Sequence, residues 1–513
     1  MKKVFTLTIL AAIILLQACK KTASEKITPA NPSVISSAKI DDFIREEIRT
    51  KQNFEWATAS DEMVWSALQQ SDKILSVGYR PANENKVEDR LAEIDIRSNN
   101  WKAARQQVLS IILTEESKTQ SGLEAEALEV WSENVLPVMD VRVENLSTIK
   151  ALRASNLVRY AEPMGYEPQS HQSTQAVQGS SGCGSNTFTA GLVAGVDYLN
   201  ITPNSKQSWN YAYHNIPGAW TKTTGAGVKV FFIDTGAEND QENLGSAFNQ
   251  GSSSGRTIEK IVTLPRQTLF GFPIGSVETP DDGCGHGTSM AGACAAPRGT
   301  DGAACGVAYN CNLVVSRASS DVFLDESREV KGVSDAYTNA ANRSDVKVIS
   351  MSMGRISSSS QMSDAIKYAY GKGKLMFVAA GTSFSWASSW FGVVFPATLS
   401  EVNAVTGVRD NNFNTQCSDC HDGSQTDFTV VMEKAASGMH PITLANTGDA
   451  PSTVGGSSVA TATSAGIAAL VWSRFPAYTR DQVLNRMIQS SSRYPTKSSN
   501  LGWGNVNADL ATN

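Results

Sequence analysis

The chain has 513 residues, enough for two or three domains around a large core, and its 41% hydrophobic and 18% charged content is ordinary for a globular protein. Its 44 basic and 50 acidic residues leave a net charge of -6, which favours no polyanion, so nucleic-acid binding has no compositional support.

The opening MKKVFTLTILAAIILLQACKK sets two lysines before an apolar run from Val4 to Leu16. That run is too short for a typical membrane span and reads as a secretory signal over residues 1–19. Ala18 before Cys19 resembles a bacterial lipobox, in which the cysteine carries lipid and becomes the mature N-terminus. This implies a lipoprotein of a bacterial envelope, in the periplasm or at the cell surface. The alternative is ordinary cleavage near Ala18 and release as a secreted protein.

Residues 20–166 read as a small α+β unit. Residues 38–80 carry a helical pattern with polar faces, and VLSIIL within NWKAARQQVLSIILTEE reads as a short strand. A helical SGLEAEALEVWSEN, a strand around PVMDVRVE, a helix STIKALRAS and a strand NLVRYAEP follow. The polar, Gly- and Ser-containing EPQSHQSTQAVQGSSGCGSNT has no periodicity, which marks residues 167–187 as a linker.

Residues 188–513 change texture. VKVFFID, LVVS, VKVISMS, KLMFVAA and VNAVTGV are short apolar runs without alternation, as in buried parallel strands. Helical stretches such as VSDAYTNAANR and SSQMSDAIKYAYGKG lie between them. Strands alternating with helices predict an α/β fold with a doubly wound, mostly parallel sheet, whose sites gather at the carboxyl ends of the strands.

Besides Cys19 there are seven cysteines, at 183, 284, 294, 305, 311, 417 and 420. Export favours disulfides, and close pairs such as Cys305 with Cys311 are placed to staple surface loops. An odd count leaves one over, and the connectivity stays open. Cys417-Ser-Asp-Cys420-His421 has the spacing of covalent haem attachment, but no haem-domain pattern surrounds it, and a local disulfide loop is the better reading.

Three residues carry chemistry together. Asp234 ends a strand in GVKVFFIDTG, His286 opens a helix in GHGTSMAG, and Ser458 opens another in GGSSVATATSAG. Taken singly they read as a turn aspartate, a loop histidine and an N-cap serine. A serine hydroxyl is a weak nucleophile that needs an adjacent base, and the base needs a carboxylate to orient it. A helix N-terminus also disfavours a charged imidazole, so His286 is expected to stay neutral as a base, while the Ser458 N–H faces a developing oxyanion.

These motifs resemble those of subtilisin-family serine proteases, in the same Asp, His, Ser chain order, and the likeness runs roughly from residue 208 to 511. WTKTTGAGVKVFFIDTG resembles the family's entry into its aspartate strand, GHGTSMAG its histidine motif and GSSVATATSAG its serine motif. The resemblance implies a subtilisin-like fold and endopeptidase activity on proteins or peptides through an acyl-enzyme, with no cofactor required for the chemistry. Ser352, Met353 and Gly354 would form one wall of the substrate groove and Ala379, Ala380 and Gly381 the other, offering backbone groups for strand-like pairing. Structural calcium is common among relatives, but no ligand cluster is assigned here. PVMDVRVENLSTIKALRASNLVRYAEP resembles the end of the family's inhibitory propeptide, which makes the N-terminal unit an intramolecular inhibitor.

The chain departs from the pattern at Thr382, where the family has the asparagine that donates to the oxyanion. Losing that donor costs subtilisin about a hundred- to a thousandfold in turnover. Thr382 or a bound water would supply part of the hole. Ser457 and Ala462 also replace a threonine and a proline of the serine motif. A weakened or dead domain that holds peptides without cutting them, and a transpeptidase on the same triad, are the alternatives.

Overall fold

The computed structural model describes residues 33–168, 183–184, 186–269, 272–382 and 392–513. The signal, Cys19 and most of the linker lie outside the described residues.

The N-terminal unit contains α1 (Ser37–Lys51), α2 (Asp61–Gln69), β1 (Ile74–Tyr79), α3 (Asn99–Glu116), β2 (Glu129–Trp131), β3 (Val138–Arg142), α4 (Leu146–Arg153) and β4 (Val158–Pro163). Its antiparallel sheet has the order β2-β3-β1-β4. A hairpin of β5 (Tyr198–Ile201) and β6 (Ser205–Ser208), then α5 (Ile216–Ala219), lead into the larger unit. There β7 (Lys229–Asp234), β8 (Ile258–Val262), the short β9 (Thr268–Leu269) and β10 (Phe272–Pro273), α6 (His286–Ala295) and β11 (Asn312–Arg317) are followed by α7 (Ser327–Asn342), β12 (Val346–Met351), α8 (Ser360–Gly371) and β13 (Leu375–Ala379). The chain closes with β14 (Asn403–Arg409), β15 (Thr426–Glu433), the short β16 (Ile442–Thr443) and β17 (Ser452–Thr453), α9 (Gly456–Arg474), α10 (Arg480–Gln489) and α11 (Ala508–Ala511).

Seven of these strands form one parallel sheet in the order β15-β14-β13-β12-β7-β11-β8, the doubly wound arrangement expected. Both faces are covered, which explains the continuous apolar runs. Even so, the period of two sorts the side chains. Phe231 and Ile233 of β7, with Ile349 and Met351 of β12, enter the core beneath α7 and α8. Val230, Phe232 and Val348 enter the opposite core with α6 and α9.

The first of these cores does not stop at the larger unit. Ile40, Trp56, Val77, Met139 and Ile149 of the N-terminal unit share one apolar cluster with Tyr337 of α7 and Met362 of α8. The junction is also polar. Arg159 of β4 pairs with Asp364 of α8, both buried, and Ser76 Oγ donates to Gln361 Oε1 at 2.8 Å. Glu162 accepts from the Ser360 backbone N–H and hydroxyl.

Three expectations fail in the N-terminal unit. VLSIIL belongs to the long helix α3, because Trp101, Ala104, Val108 and Ile112 bury one face at helical spacing. SGLEAEALEVWSEN forms a single helical turn at Ala125–Ala127 and then the strand β2, whose pairing with β3 wins over the helix-favouring composition. The helix expected over residues 38–80 splits into α1, α2 and strand β1, which lies between β3 and β4.

Candidate active site

Asp234 is the last residue of β7, a central strand of the parallel sheet, and it is fully buried. Its Oδ1 accepts from the Thr235 N–H at 2.8 Å and lies 2.8 Å from His286 Nδ1. His286 is the first residue of α6 and 3% exposed. The helix start presses so closely on the strand end that a Cβ at Gly287 would sit 2.2 Å from the Gly236 carbonyl oxygen, and only glycine allows this approach.

Asp282, which sequence reasoning passed over, organises this turn. Its Oδ1 accepts from the Cys284 and Gly285 N–H groups and from the Thr235 hydroxyl at 3.2, 2.8 and 2.8 Å. Its Oδ2 accepts from the Thr288 N–H and hydroxyl at 2.8 and 2.7 Å. An acidic residue four positions before the histidine is the only sequence signal for this role.

The start of α6 does not leave the His286 pKa lowered. Burial depresses its pKa, but the charge and hydrogen bond of Asp234, with Asp282 and Asp321 behind it, more than reverse this and leave it raised. Nearby carboxylates favour the charged ring.

Ser458 lies in the first turn of α9, half-buried, and α9 packs against α6. No hydrogen bond joins its hydroxyl to the imidazole, a looseness common in resting sites. Both proposed groove walls hang on this turn. Ser352 Oγ donates to the Ser458 carbonyl at 3.0 Å, and the Gly381 N–H donates to Ser457 Oγ at 3.2 Å. The Thr382 hydroxyl lies 3.1 Å from Ser457 Oγ.

Several wall backbone groups are not open for strand-like pairing. Gly354 donates to Val322 O at 3.1 Å and accepts from Leu324 N at 3.0 Å. Ala380 is bonded to Val405 and Val394, and Gly381 O accepts from His421 N at 2.9 Å. Ser352 and Met353 directly follow β12, and Ala379 is the last residue of β13.

Cys183 is bonded to Cys284, two residues before His286, and Cys417 to Cys420. The second bond uses both thiols of the C-x-x-C-H motif, in line with the local disulfide loop. Cys294, Cys305 and Cys311 are free and buried, so the Cys305–Cys311 staple does not form. Cys305 Sγ turns to the Gly306 carbonyl, and the Cys311 thiol meets Cys294 instead.

The end of the N-terminal unit is clamped near the groove. Arg355, one residue beyond Gly354, lies 2.7 Å from the Glu167 carboxylate and donates to the Met164 and Tyr166 carbonyls at 3.0 and 3.1 Å. Glu167 also accepts from the Ile356 N–H at 2.9 Å.

Away from the groove, Glu242, Asp301 and Asp449 bring carboxylate oxygens within 4.8 Å of one another. Burial, Asp301 and Glu242 push Asp449 up to about 6. Three hard oxygen donors in mutual repulsion fit a calcium ion chemically. Among the described residues no helix is long and apolar enough to cross a membrane.

Known proteins share sequence with the larger unit. The subtilase family model matches residues 225–504. The thermostable alkaline protease of Halalkalibacterium halodurans is 32% identical over 244 residues, 47% of this chain and 61% of that protein, so less than two thirds of its length is matched. Subtilisin DY of Bacillus licheniformis is 30% identical over 295 residues, 56% of this chain and 91% of that protein. A solved structure of MycP1 from the ESX-1 type VII secretion system gives a TM-score of 0.47 at 20% identity, covering 64% of this chain and 92% of that one. With its family model covering more than half of its length, the chain belongs to the subtilase family of serine proteases.

Proposed function

We propose that the protein is an exported serine endopeptidase that hydrolyses peptide bonds through Asp234, His286 and Ser458, and that lipid at Cys19 anchors it to the membrane. The observation that carries the reading is the buried 2.8 Å contact between Asp234 and His286 at the strand end beside the Ser458 helix. His286 Nε2 takes the Ser458 hydroxyl proton as Oγ attacks the scissile carbonyl, and then gives it to the leaving amine. Water hydrolyses the acyl-enzyme by the reverse sequence, its proton passing through His286 back to Ser458. Asp234 holds Nδ1–H and stabilises the imidazolium in both halves.

The oxyanion falls to the Ser458 N–H at the start of α9, with Thr382 as second donor. Ser457 Oγ accepts from the Gly381 N–H, so its own proton is available for Thr382 Oγ1. The Thr382 proton is then free to point at the oxyanion. No metal enters the chemistry, and a calcium ion at Glu242, Asp301 and Asp449 would act on stability alone.

The N-terminal unit acts as an intramolecular inhibitor held by Arg355, and a cut within residues 169–182 would begin its release. The test is fluorophosphonate labelling before and after that cut, with the labelled peptide identified by mass spectrometry. Label on Ser458, absent in His286→Ala, supports the reading. A folded protein that never labels favours the peptide-binding alternative.

A further inference from the structure

The C-x-x-C-H motif at Cys417, Cys420 and His421 takes no part in the chemistry above, yet its loop is sewn to the residue assigned as second oxyanion donor. β13 ends at Ala379, where its pairing with β14 also ends, at Val405. Ala380 still donates to Val405 O at 2.9 Å, but the next two residues turn to the loop between β14 and β15. Gly381 O accepts from the His421 N–H at 2.9 Å, and Thr382 forms an antiparallel bridge with Cys420. The His421 ring packs on Gly381, where a Cβ would sit 2.6 Å from its Nδ1.

The loop is itself fixed from several sides. The Cys417–Cys420 bond closes it, and both cysteines are buried. The Cys420 N–H donates to Cys417 O at 3.1 Å and the Cys417 N–H to Gly407 O at 2.9 Å. Cys420 Sγ presses on β14, 2.7 Å from where a Cβ on Gly407 would lie. The Ser418 N–H donates to the buried Glu433 carboxylate, and the Thr406 hydroxyl to the His421 carbonyl.

The two residues it holds have little else to fix them. Gly381 has a φ of +124°, a conformation open to glycine, whose backbone has the most freedom to lose. Thr382 reaches its Oγ1 through a single side-chain torsion, so the backbone largely dictates where that hydroxyl sits. The hydroxyl must stay beside Ser457 Oγ at 3.1 Å and over the start of α9, where a Cβ on Gly456 would lie 2.9 Å from it. A donor to a developing oxyanion is effective only when it is set in place beforehand.

We propose that Cys417, Cys420 and His421 are positioning residues for Thr382, so that full turnover requires the Cys417–Cys420 bond. The inference rests on the protease reading above and names a regulation of that site. To close the bond, the two thiols give up two protons and two electrons to a disulfide oxidant of the export compartment, which is reduced to two thiols. Both sulfurs are buried in the finished fold, so the bond closes before the loop packs. Oxidation then sets the activity once, and reductants outside the folded enzyme do not undo it.

The experiment measures kcat and KM on one peptide anilide, with fluorophosphonate labelling of Ser458 and a thermal melt, for proteins that have all received the same cut within residues 169–182. They are the full chain, the double variant Cys417→Ala with Cys420→Ala, His421→Ala, Thr382→Ala, and the first two changes combined with Thr382→Ala. The double cysteine variant is expected to lose at least about tenfold in kcat with KM within about twofold, and His421→Ala to lose several-fold in the same way. In the Thr382→Ala background each change should cost less than about twofold further, because the donor they position is gone. A merely structural role would lower kcat by the same factor in both backgrounds, and that result overturns the proposal. An unchanged kcat in a folded, labelling-competent cysteine variant also overturns it. Should that variant fail to fold, an unchanged kcat in folded His421→Ala does the same. Failure of every folded protein to label overturns the protease reading, and this proposal with it.

Discussion

Cys183 is bonded to Cys284, so a residue near the end of the 167–187 segment is fixed two positions before the histidine of the site. Asn186 continues the contact by donating to the Gly285 carbonyl at 2.8 Å. The bond closes a loop across a separation of 101 residues. In the chain-entropy account a loop of this size contributes about 5 kcal/mol. Replacing both cysteines by serine is expected to lower the melting temperature by several degrees and to reduce Ser458 labelling, since the turn that carries His286 loses its anchor. Melting and labelling measured on the same sample check both effects.

The raised pKa of His286 would set the acid limb of the proposed activity. The base must be neutral, so kcat/KM is expected to fall below a pH above the ordinary histidine value of about 6.5. Asp234→Asn should move that limb down and cut kcat by roughly four orders of magnitude, because the ring loses its orienting partner. A pH–rate profile of the two proteins reads both changes.

Thr382→Asn restores the longer amide donor beside Ser458. Turnover is expected to rise, by up to about a hundredfold if the threonine contributes little to the oxyanion. Steady-state kcat with KM little changed is the signature, because the gained hydrogen bond forms in the transition state.

Glu167→Gln leaves the buried Arg355 guanidinium without its countercharge. Removing one partner of a buried pair costs about 3–5 kcal/mol. After a cut in residues 169–182, the variant's N-terminal unit is expected to dissociate far more readily, seen as loss of co-elution in size-exclusion chromatography.

Asp140 and Glu162 lie buried at the same junction, and burial pushes each up to about 7. Each is protonated in the docked state well above its free value near 4, so docking is strongest below pH 4 and weakens as pH rises through 7. The nicked complex is therefore expected to hold at pH 5 and to bind at least about tenfold more weakly at pH 8, measured by titrating the separated fragments.

The strands of the larger sheet were legible because a parallel strand covered on both faces must be a short apolar run, and VKVFFID and KLMFVAA are such runs. Asp234, His286 and Ser458 were legible through their glycine-rich motifs, and the first two meet as expected. The N-terminal unit was harder to read. The β-branched run in α3 resembles a strand until Trp101 and Val108 reveal a helical face, and β2 exists only through its pairing with β3. The Cys183–Cys284 bond joins residues far apart in the chain, which no local pattern encodes, and Asp282 is signalled only by its place four residues before His286.

The apolar cluster shared by the N-terminal unit with α7 and α8 bears on where the protease would stay. A cut in residues 169–182 would leave Cys19 on one fragment and all three candidate catalytic residues on the other, with Cys183 on the catalytic side. From that moment a lipid on Cys19 would hold the enzyme only through the Arg159–Asp364 and Arg355–Glu167 pairs and the apolar surface around them. Maturation would thereby turn a covalent mooring into a reversible one, and the same surface that restrains the enzyme would set how long it remains at the membrane.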